Sequence, residues 1–514
     1  MKKRDITLLS TLAVSSFMSA AQAATAPDQK PMTSEKKQRP NVIIIFGDDH
    51  RYDAIHALGG TVVKTPNLDA IINNGVSFDN AYLQGANTGA TSAASRAQLL
   101  TGRGVFGIPK GNGSPWTKDI TTFPEAFRDA GYFTFFTGKS HNGEDASSRG
   151  FTGGAKLYGL SKGFYKPHFR MPYQDYREDQ SYNKKHLYFV GGENHDEKIK
   201  PSETSEYVGP HSTDIFGKAA VDFIDSYDCE KPLLMYIAFH APHDTRNYTE
   251  KYKDMYDPAD IPLPVNFREE HPFDNGDLYV RDERLAPYPR TKENTKSQIA
   301  DYYRTITHVD DKVGEIVEAL KRKGLDKNTI FVISTDSGLG MGSHGLFGKQ
   351  NLYDDAGIRV PMVFSGAGIP KGKRKTDICY SADIFPTICD LAGVEIPKSV
   401  TGLSQAKSVM GGSQYRRKVG YFAYMEHVRA VRNERYKLIE YCVDGKRHTQ
   451  LFDLENDRYE CNDLSNNPDN EALIKELRAE LVKQSEQEYG AEWGVDFWRT
   501  YMRDYDRKVL DVKE

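Results

Sequence analysis

At 514 residues the chain is too long for one simple hydrophobic core, and two packed domains are expected. Apolar residues make up 38% and charged residues 27%, the balance of a water-soluble globular protein rather than a membrane-embedded or disordered one. A formal net charge of -4 provides no electrostatic footprint for nucleic acid or an anionic membrane, so neither is expected as a partner.

The chain opens on a basic stretch, Met1-Lys2-Lys3-Arg4, followed by a short apolar run over 6–18 and the small-residue site Ala21-Gln22-Ala23. This pattern predicts a secretory signal peptide cut after about Ala23, hence a periplasmic or secreted protein. The apolar run is too short and too polar to span as a mature helix, and no cysteine lies near the cut, so no stable membrane anchor is expected. Residues 24–38 are polar and read as a flexible leader. The five cysteines lack metal-type spacing; their odd number leaves at least one unpaired, while export permits one disulfide.

Asn41-Val-Ile-Ile-Ile-Phe46 is a β-branched, apolar run ending at Gly47, the pattern of a central strand buried on both faces. Thr65-Pro66 then opens a helix, with Thr65 as N-cap and Pro66 at the first helical position. Further helices are predicted over 92–100, 123–129, 211–227 and 298–323, and strands over 132–136, 233–239 and 329–335. Strands alternating with helices predict an α/β fold, a mixed, mainly parallel sheet sandwiched by helices. Two irregular stretches, 142–207 and 248–290, are long enough to build a cleft or a lid. The texture changes near residue 400: short antiparallel strands around 438–441 and 450–453 and a helix over 471–488 predict a smaller C-terminal α+β domain. The expected division is 39–400 for the catalytic domain and 401–514 for the second.

Asp48-Asp49 follows the first strand and Asp336 follows the 329–335 strand. In an open α/β sheet both strand ends face one crevice, where clustered carboxylates repel unless a cation neutralises them. Oxygen ligands with few nitrogens favour Ca²⁺, or Mg²⁺. By itself, an Asp-Asp pair also fits a solvated loop. The stretch Ser92-Ala-Ala-Ser-Arg-Ala-Gln-Leu-Leu-Thr-Gly-Arg103 reads as a helix start capped by Ser92, with Arg96 one turn on; such a terminus suits an anion and also fits an ordinary capped helix.

That stretch resembles the sulfatase signature: Cys or Ser, any residue, Pro or Ala, any residue, Arg, then Leu and Thr-Gly-Arg. Arg39-Pro-Asn-Val-Ile-Ile-Ile-Phe-Gly-Asp-Asp49, Thr65-Pro-Asn-Leu-Asp69, Thr137-Gly-Lys-Ser-His141, Ala241-Pro-His243 and His344-Gly-Leu-Phe-Gly-Lys349 agree too, in the family's order. Arg435-Tyr-Lys-Leu and Leu451-Phe-Asp-Leu look like its second domain.

The resemblance implies an alkaline phosphatase-like fold and hydrolysis of sulfate esters, with a sulfated carbohydrate as expected substrate. Ser92 would be oxidised to formylglycine by a sulfatase-maturing enzyme. Asp48, Asp49 and Asp336 would bind Ca²⁺ with residue 92, Arg96 would hold residue 92, and Lys139 and Lys349 would grip the sulfate. His141 would take the proton that drives sulfate release, and His243 would protonate the leaving sugar oxygen. His344 would contact sulfate or support its loop. Asp244 and Arg246, beside His243, are expected to contact the sugar or to pair with each other, and 166–170 is expected to add a wall to the site. One departure concerns Ser337, where the family carries Asn or His as a metal ligand; Gln350 or Asn351 are candidate substitutes. Two rivals remain: a phosphonate or phosphate ester hydrolase on the same fold, and a non-catalytic glycan-binding relative.

Overall fold

The chain's longest apolar β-branched run forms strand β1 (Asn41–Gly47), buried at every position. Alternation divides its side chains between two cores. Val42, Ile44 and Phe46 pack with Ala94, Ala97, Phe385 and Ile388 on one face; Ile43 and Ile45 pack with Phe216, Val309, Val313 and Ile316 on the other. A strand covered on both faces can be apolar throughout, which explains the absence of a polar alternation. The computed structural model describes residues 38–108, 117–143, 149–158, 211–244, 246–412 and 417–488. The signal peptide, the leader up to residue 37 and the 166–170 wall lie outside them.

The remaining strands of the first half are β2 (Gly75–Tyr82), β3 (Gly85–Ala86), β4 (Phe133–Lys139) and β5 (Gly153–Tyr158). They are followed by β6 (Leu233–Ala238), β7 (Thr329–Thr335), β8 (Met362–Gly366) and β9 (Lys373–Tyr380). The main sheet has eight strands in the order β5-β4-β6-β1-β7-β8-β2-β9. Only β8 runs antiparallel to its neighbours, so the sheet is mixed and mainly parallel. Helices α1 (Pro66–Asn73), α4 (Ser212–Ser226) and α5 (Lys292–Arg322) cover one face. Helices α2 (Thr91–Thr101), α3 (Phe123–Asp129) and α6 (Ile384–Ala392) cover the other.

Thr65 holds the N-cap position of α1 with Pro66 first in the helix, as expected, though its hydroxyl donates to Asp69 (3.0 Å) and accepts the His56 amide (2.9 Å), so carboxylate oxygens of Asp310 take the Asn67 and Leu68 amides. Two local expectations need correction. Ser92 does not cap α2: the N-cap is Ala90, and Ser92 is the second helical residue. Helix α5 begins at Lys292, six residues before the apolar periodicity, because the Thr291 hydroxyl accepts the Asn294 amide and caps a polar first turn.

The second sheet holds β10 (Gly420–Tyr424), β11 (Val428–Arg432), β12 (Tyr436–Val443) and β13 (Lys446–Asp453), all antiparallel, and α7 (Glu471–Glu488) follows them in the chain. Its fifth strand is β3, from the first part of the chain, which joins β10 in parallel register. Gly85 in β3 has φ 119°, and a Cβ there would lie 1.8 Å from the Ala423 carbonyl oxygen, so only glycine allows this approach. Among the described residues no helix is long and apolar enough to cross a membrane.

Candidate active site

Strands β4, β6, β1 and β7 are adjacent and parallel, so their carboxyl ends meet at one edge. Lys139 ends β4, His240 and His243 follow β6, Asp48 and Asp49 follow β1, and Asp336 follows β7; all are buried. Asp49 turns the chain with φ 61°, and its amide donates to Asp336 Oδ1 across 2.9 Å. Tyr302 of α5 braces this turn by donating to the Asp49 carbonyl.

Ser92 reaches the acids from the first turn of α2, its hydroxyl 3.2 Å from Asp48 Oδ1. Arg96, one turn later, ties four elements together. Its guanidinium donates to Asp336 Oδ2 (3.1 Å), the Lys139 carbonyl (3.1 Å) and the Tyr236 hydroxyl (3.3 Å), and lies 5.1 Å from the Phe46 ring centre. The Lys139 ammonium lies on Asp48 Oδ2 and that of Lys349 on Asp49 Oδ1. Ser337 Oγ donates to Asp49 Oδ1 at 3.1 Å. His240 Nδ1 is 3.4 Å from Asp48 Oδ2, and His243 Nε2 is 3.8 Å from Asp49 Oδ2.

Burial and crowding set the protonation of the cluster. Burial pushes Asp48 up, but Lys139, His243 and Arg96 hold it well below the usual carboxylate range. Asp49 rises to about 6 through burial and the repulsion of Asp48 and Asp282, against Lys349. Asp336 rises to about 7 through burial and Asp48, against Arg96. Burial and Lys139 hold His141 neutral, and burial with Lys349 and Lys139 does the same for His243.

The donors fit a hard divalent cation. Asp48, Asp49 and His243 each offer a ligand atom, all within 4.8 Å of one another. Asp336 and the Ser337 hydroxyl add oxygen donors after β7, and the Ser92 hydroxyl adds one from the first turn of α2. Gln350 and Asn351 are engaged elsewhere: Gln350 bonds Asp282 and the Lys349 amide, and Asn351 bonds Gly348, Ala356 and Tyr353.

The residues expected at the sugar separate from one another. Asp244 and Arg246 do not pair. Asp244 Oδ1 accepts from Arg281 at 2.8 Å and lies 3.1 Å from His243 Nδ1. Arg246 is buried, donates to Gln298 Oε1 at 2.9 Å and lies over the Tyr302 ring. His344 is bonded to Asn266 at 2.8 Å and stacked on Tyr353 with ring centres 3.7 Å apart, and its described contacts do not reach the acidic cluster.

Sequence reasoning missed His240, Tyr236, Tyr302 and Arg281. His240 stands three residues before His243, and its signal was its place just past a strand end. Tyr236 and Tyr302 look like core aromatics until their hydroxyls are placed. Arg281 lies in the irregular 248–290 stretch, where no periodicity marks which side chains turn inward.

The family model described as Sulfatase matches residues 40–394. The chain belongs to the sulfatase family. It is therefore an enzyme of the sulfuric ester hydrolase class. A second model, the C-terminal region of N-sulphoglucosamine sulphohydrolase, matches residues 342–487 of this sulfatase, which include the second sheet's β10–β13 and nearly all of α7. The sulfatase is 27% identical to an N-acetylglucosamine-6-O-sulfatase of Bacteroides thetaiotaomicron, over 95% of this chain and 92% of that one. It is 29% identical to an arylsulfatase of Clostridium perfringens, over 92% and 99% respectively. A solved structure in complex with its substrate D-glucosamine-2-N,6-O-disulfate superposes with a TM-score of 0.68 at 23% identity, covering 89% of this chain and 99% of that one. A phosphonate monoester hydrolase of Agrobacterium radiobacter reaches 0.66 at 22%, covering 88% and 96%. These two likenesses concern the fold, which is that of alkaline phosphatase-like enzymes.

Proposed function

We propose that this sulfatase is exported to the periplasm or beyond and removes sulfate from a sulfated carbohydrate, using a formylglycine made from Ser92 and a bound Ca²⁺. The observation that carries this is the placement of the Ser92 hydroxyl on Asp48, within a buried cluster of three carboxylates flanked by two ammonium groups. The similarity to the N-acetylglucosamine-6-O-sulfatase supports a sugar substrate, and the signal sequence supports export.

Asp48, Asp49 and Asp336 would hold the cation together with residue 92 and the Ser337 hydroxyl. The cation supplies neutralisation of the sulfate oxygens and the attacking oxygen. A formylglycine at position 92 would supply two oxygens on one carbon, one to attack sulfur and one to lose the proton on release. Arg96 keeps residue 92 in register with the acids. Lys139 and Lys349, held on Asp48 and Asp49, would grip the sulfate and stabilise charge as it moves onto the oxygens. His141 Nδ1 is buried without a hydrogen-bond partner among the described residues, so it is free to take the proton that releases sulfate. His243 Nδ1 donates its hydrogen to the Asp244 carbonyl at 2.6 Å, so in the neutral ring Nε2 is the open nitrogen; to act as the acid, His243 would take up a second proton on Nε2 and pass it to the leaving sugar oxygen.

Peptide mass analysis of material from the native host, with parallel assays of a sulfated sugar and a phosphonate monoester, tests this reading. A residue 92 lighter than serine by two hydrogens, with sulfate released from the sugar, is expected. Full activity with residue 92 as unmodified serine overturns the formylglycine, and turnover of the phosphonate alone overturns the substrate.

A further inference from the structure

Arg281, one carboxylate away from His243, uses only part of its donors on the described residues. Its Nε donates to Asp282 at 2.8 Å, and its Nη2 donates to Asp282 and, at 2.8 Å, to Asp244. Nη1 makes no hydrogen bond to the described residues, and the side chain remains 41% exposed. Arg290 shows what a structural guanidinium looks like in the same wall: wholly buried, with donors spent on the Glu283, Ala286 and Gly345 carbonyls. Arg281 is separated from His243 by a single carboxylate, because Asp244 Oδ1 touches both Arg281 Nη2 (2.8 Å) and His243 Nδ1 (3.1 Å). The Asp244 and Asp282 carboxylates fix the guanidinium plane, so the open Nη1 edge has a set direction and little rotamer freedom to lose on binding.

The geometry points to Arg281 as a specificity-determining residue that donates from Nη1 to an oxygen of the leaving sugar, a hydroxyl or a second anionic group near the scissile ester. This rests on the sulfatase reading and on His243 as the acid that faces the leaving group. The part expected of Asp244 at the sugar then passes to its neighbour: Asp244 orients both Arg281 and His243. An aryl sulfate has no such oxygen beside its ester and gains nothing from Nη1, whereas a sugar that loses this donor loses a charge-assisted hydrogen bond.

The test is Arg281→Lys, which keeps a cation for Asp244 and Asp282 but has no second planar edge. The fall in kcat/KM on N-acetylglucosamine 6-sulfate and on glucosamine 2-N,6-O-disulfate should exceed the fall on 4-nitrophenyl sulfate by about tenfold or more. A larger excess on the disulfate identifies the acceptor as anionic, and equal excesses identify a hydroxyl. Equal losses on the sugars and the aryl ester overturn the proposal and make Arg281 a support for His243, as does a shifted pH profile of kcat with KM unchanged. Calorimetric binding of the disulfate to protein with unmodified Ser92 reads recognition without turnover: the wild-type chain should bind more tightly than the Lys variant, and equal affinities defeat the proposal. Failure of the sulfatase reading shows differently, as a wild-type enzyme with oxidised residue 92 that releases sulfate from none of the three esters.

Discussion

The Ser92 hydroxyl donates to Asp48 Oδ1 across 3.2 Å, and neither residue has more than 1% of its surface exposed. A serine hydroxyl among buried acids is not by itself a strong nucleophile, and its neighbours become useful when residue 92 carries two oxygens. Ser92→Ala should therefore leave no measurable sulfate release while the variant stays folded at a cost of about 1.5–3 kcal/mol, since it loses one hydrogen bond to a buried carboxylate. Residual turnover above a few per cent in that variant would remove residue 92 from the chemistry.

Chelation should lower both activity and melting temperature, and Ca²⁺ should restore them. A ligand present at a hundredfold over its Kd adds about 2.7 kcal/mol, which is several degrees in a chain of this length. Ser337→Asn, which adds an amide oxygen beside Asp49, should keep or tighten the cation. Unchanged melting and rate after chelation would take the cation out of the Asp48–Asp49–Asp336 cluster.

His243→Gln separates acid catalysis from binding. A sugar alkoxide is a poor leaving group and needs the proton, so the loss on a sugar sulfate should be about 10²- to 10⁴-fold. A nitrophenolate leaves without help and should suffer far less. Rates measured across aryl sulfates of graded phenol acidity should steepen in the variant; parallel lines would give His243 another task.

Acid should destabilise the fold through His211. Burial and His308 depress its pKa to about 3; its Nδ1 accepts the Thr213 amide at the start of α4, and its Nε2 faces the Asn247 carbonyl. The unfolded chain takes a proton near the ordinary pKa of about 6.5, which the folded ring refuses. Stability contributed by this residue is thus complete above that value and is lost as pH falls from it toward 3. The urea midpoint should fall between pH 7 and pH 5, and His211→Asn should flatten that slope.

Lys437 is wholly buried, 2.6 Å from Asp354 and 2.7 Å from Glu460. Lys437→Met takes the buried ammonium from both carboxylates, leaving Asp354 with Arg432 and Tyr82 and Glu460 with the Asp354 amide, and should cost about 3–5 kcal/mol in urea unfolding. Adding Glu460→Gln should recover part of the loss. Because Asp354 lies five residues beyond Lys349, the single variant should also lower turnover.

What the sequence made legible follows from burial and periodicity. The runs that became β1 and β7 are apolar on both faces, so their ends, and with them Asp48, Asp49 and Asp336, could be placed at one edge before any coordinates. Helix α3 was legible to the residue because Thr122 and Glu125 form a capping box around Phe123. The identity of α2 as a helix was legible, but the direction of the Ser92 hydroxyl was not, since a cap and a site residue look alike in sequence. The partners of Asp244 and Arg246 were not legible, because Arg281 and Gln298 are distant in sequence and local spacing cannot reveal them. The two-residue strand β3 has no pattern of its own; only β10 makes it a strand.

That short strand also places the chain's two ends on a clock. Gly85 and Ala86 stand just ahead of Ser92, yet their partners, Ala423 and Tyr424, are synthesised about 340 residues later. At ribosomal speeds of about 5–20 residues per second, the interval is roughly 20 s to 1 min. Until it has elapsed, the segment leading into α2 has no sheet to join. If Ser92, which ends up 1% exposed, is oxidised as proposed, a maturing enzyme would reach it early and not late. A chain that paired β3 with β10 sooner, for instance a circular permutant starting near residue 417, would be expected to mature less completely, although its finished site would be the same.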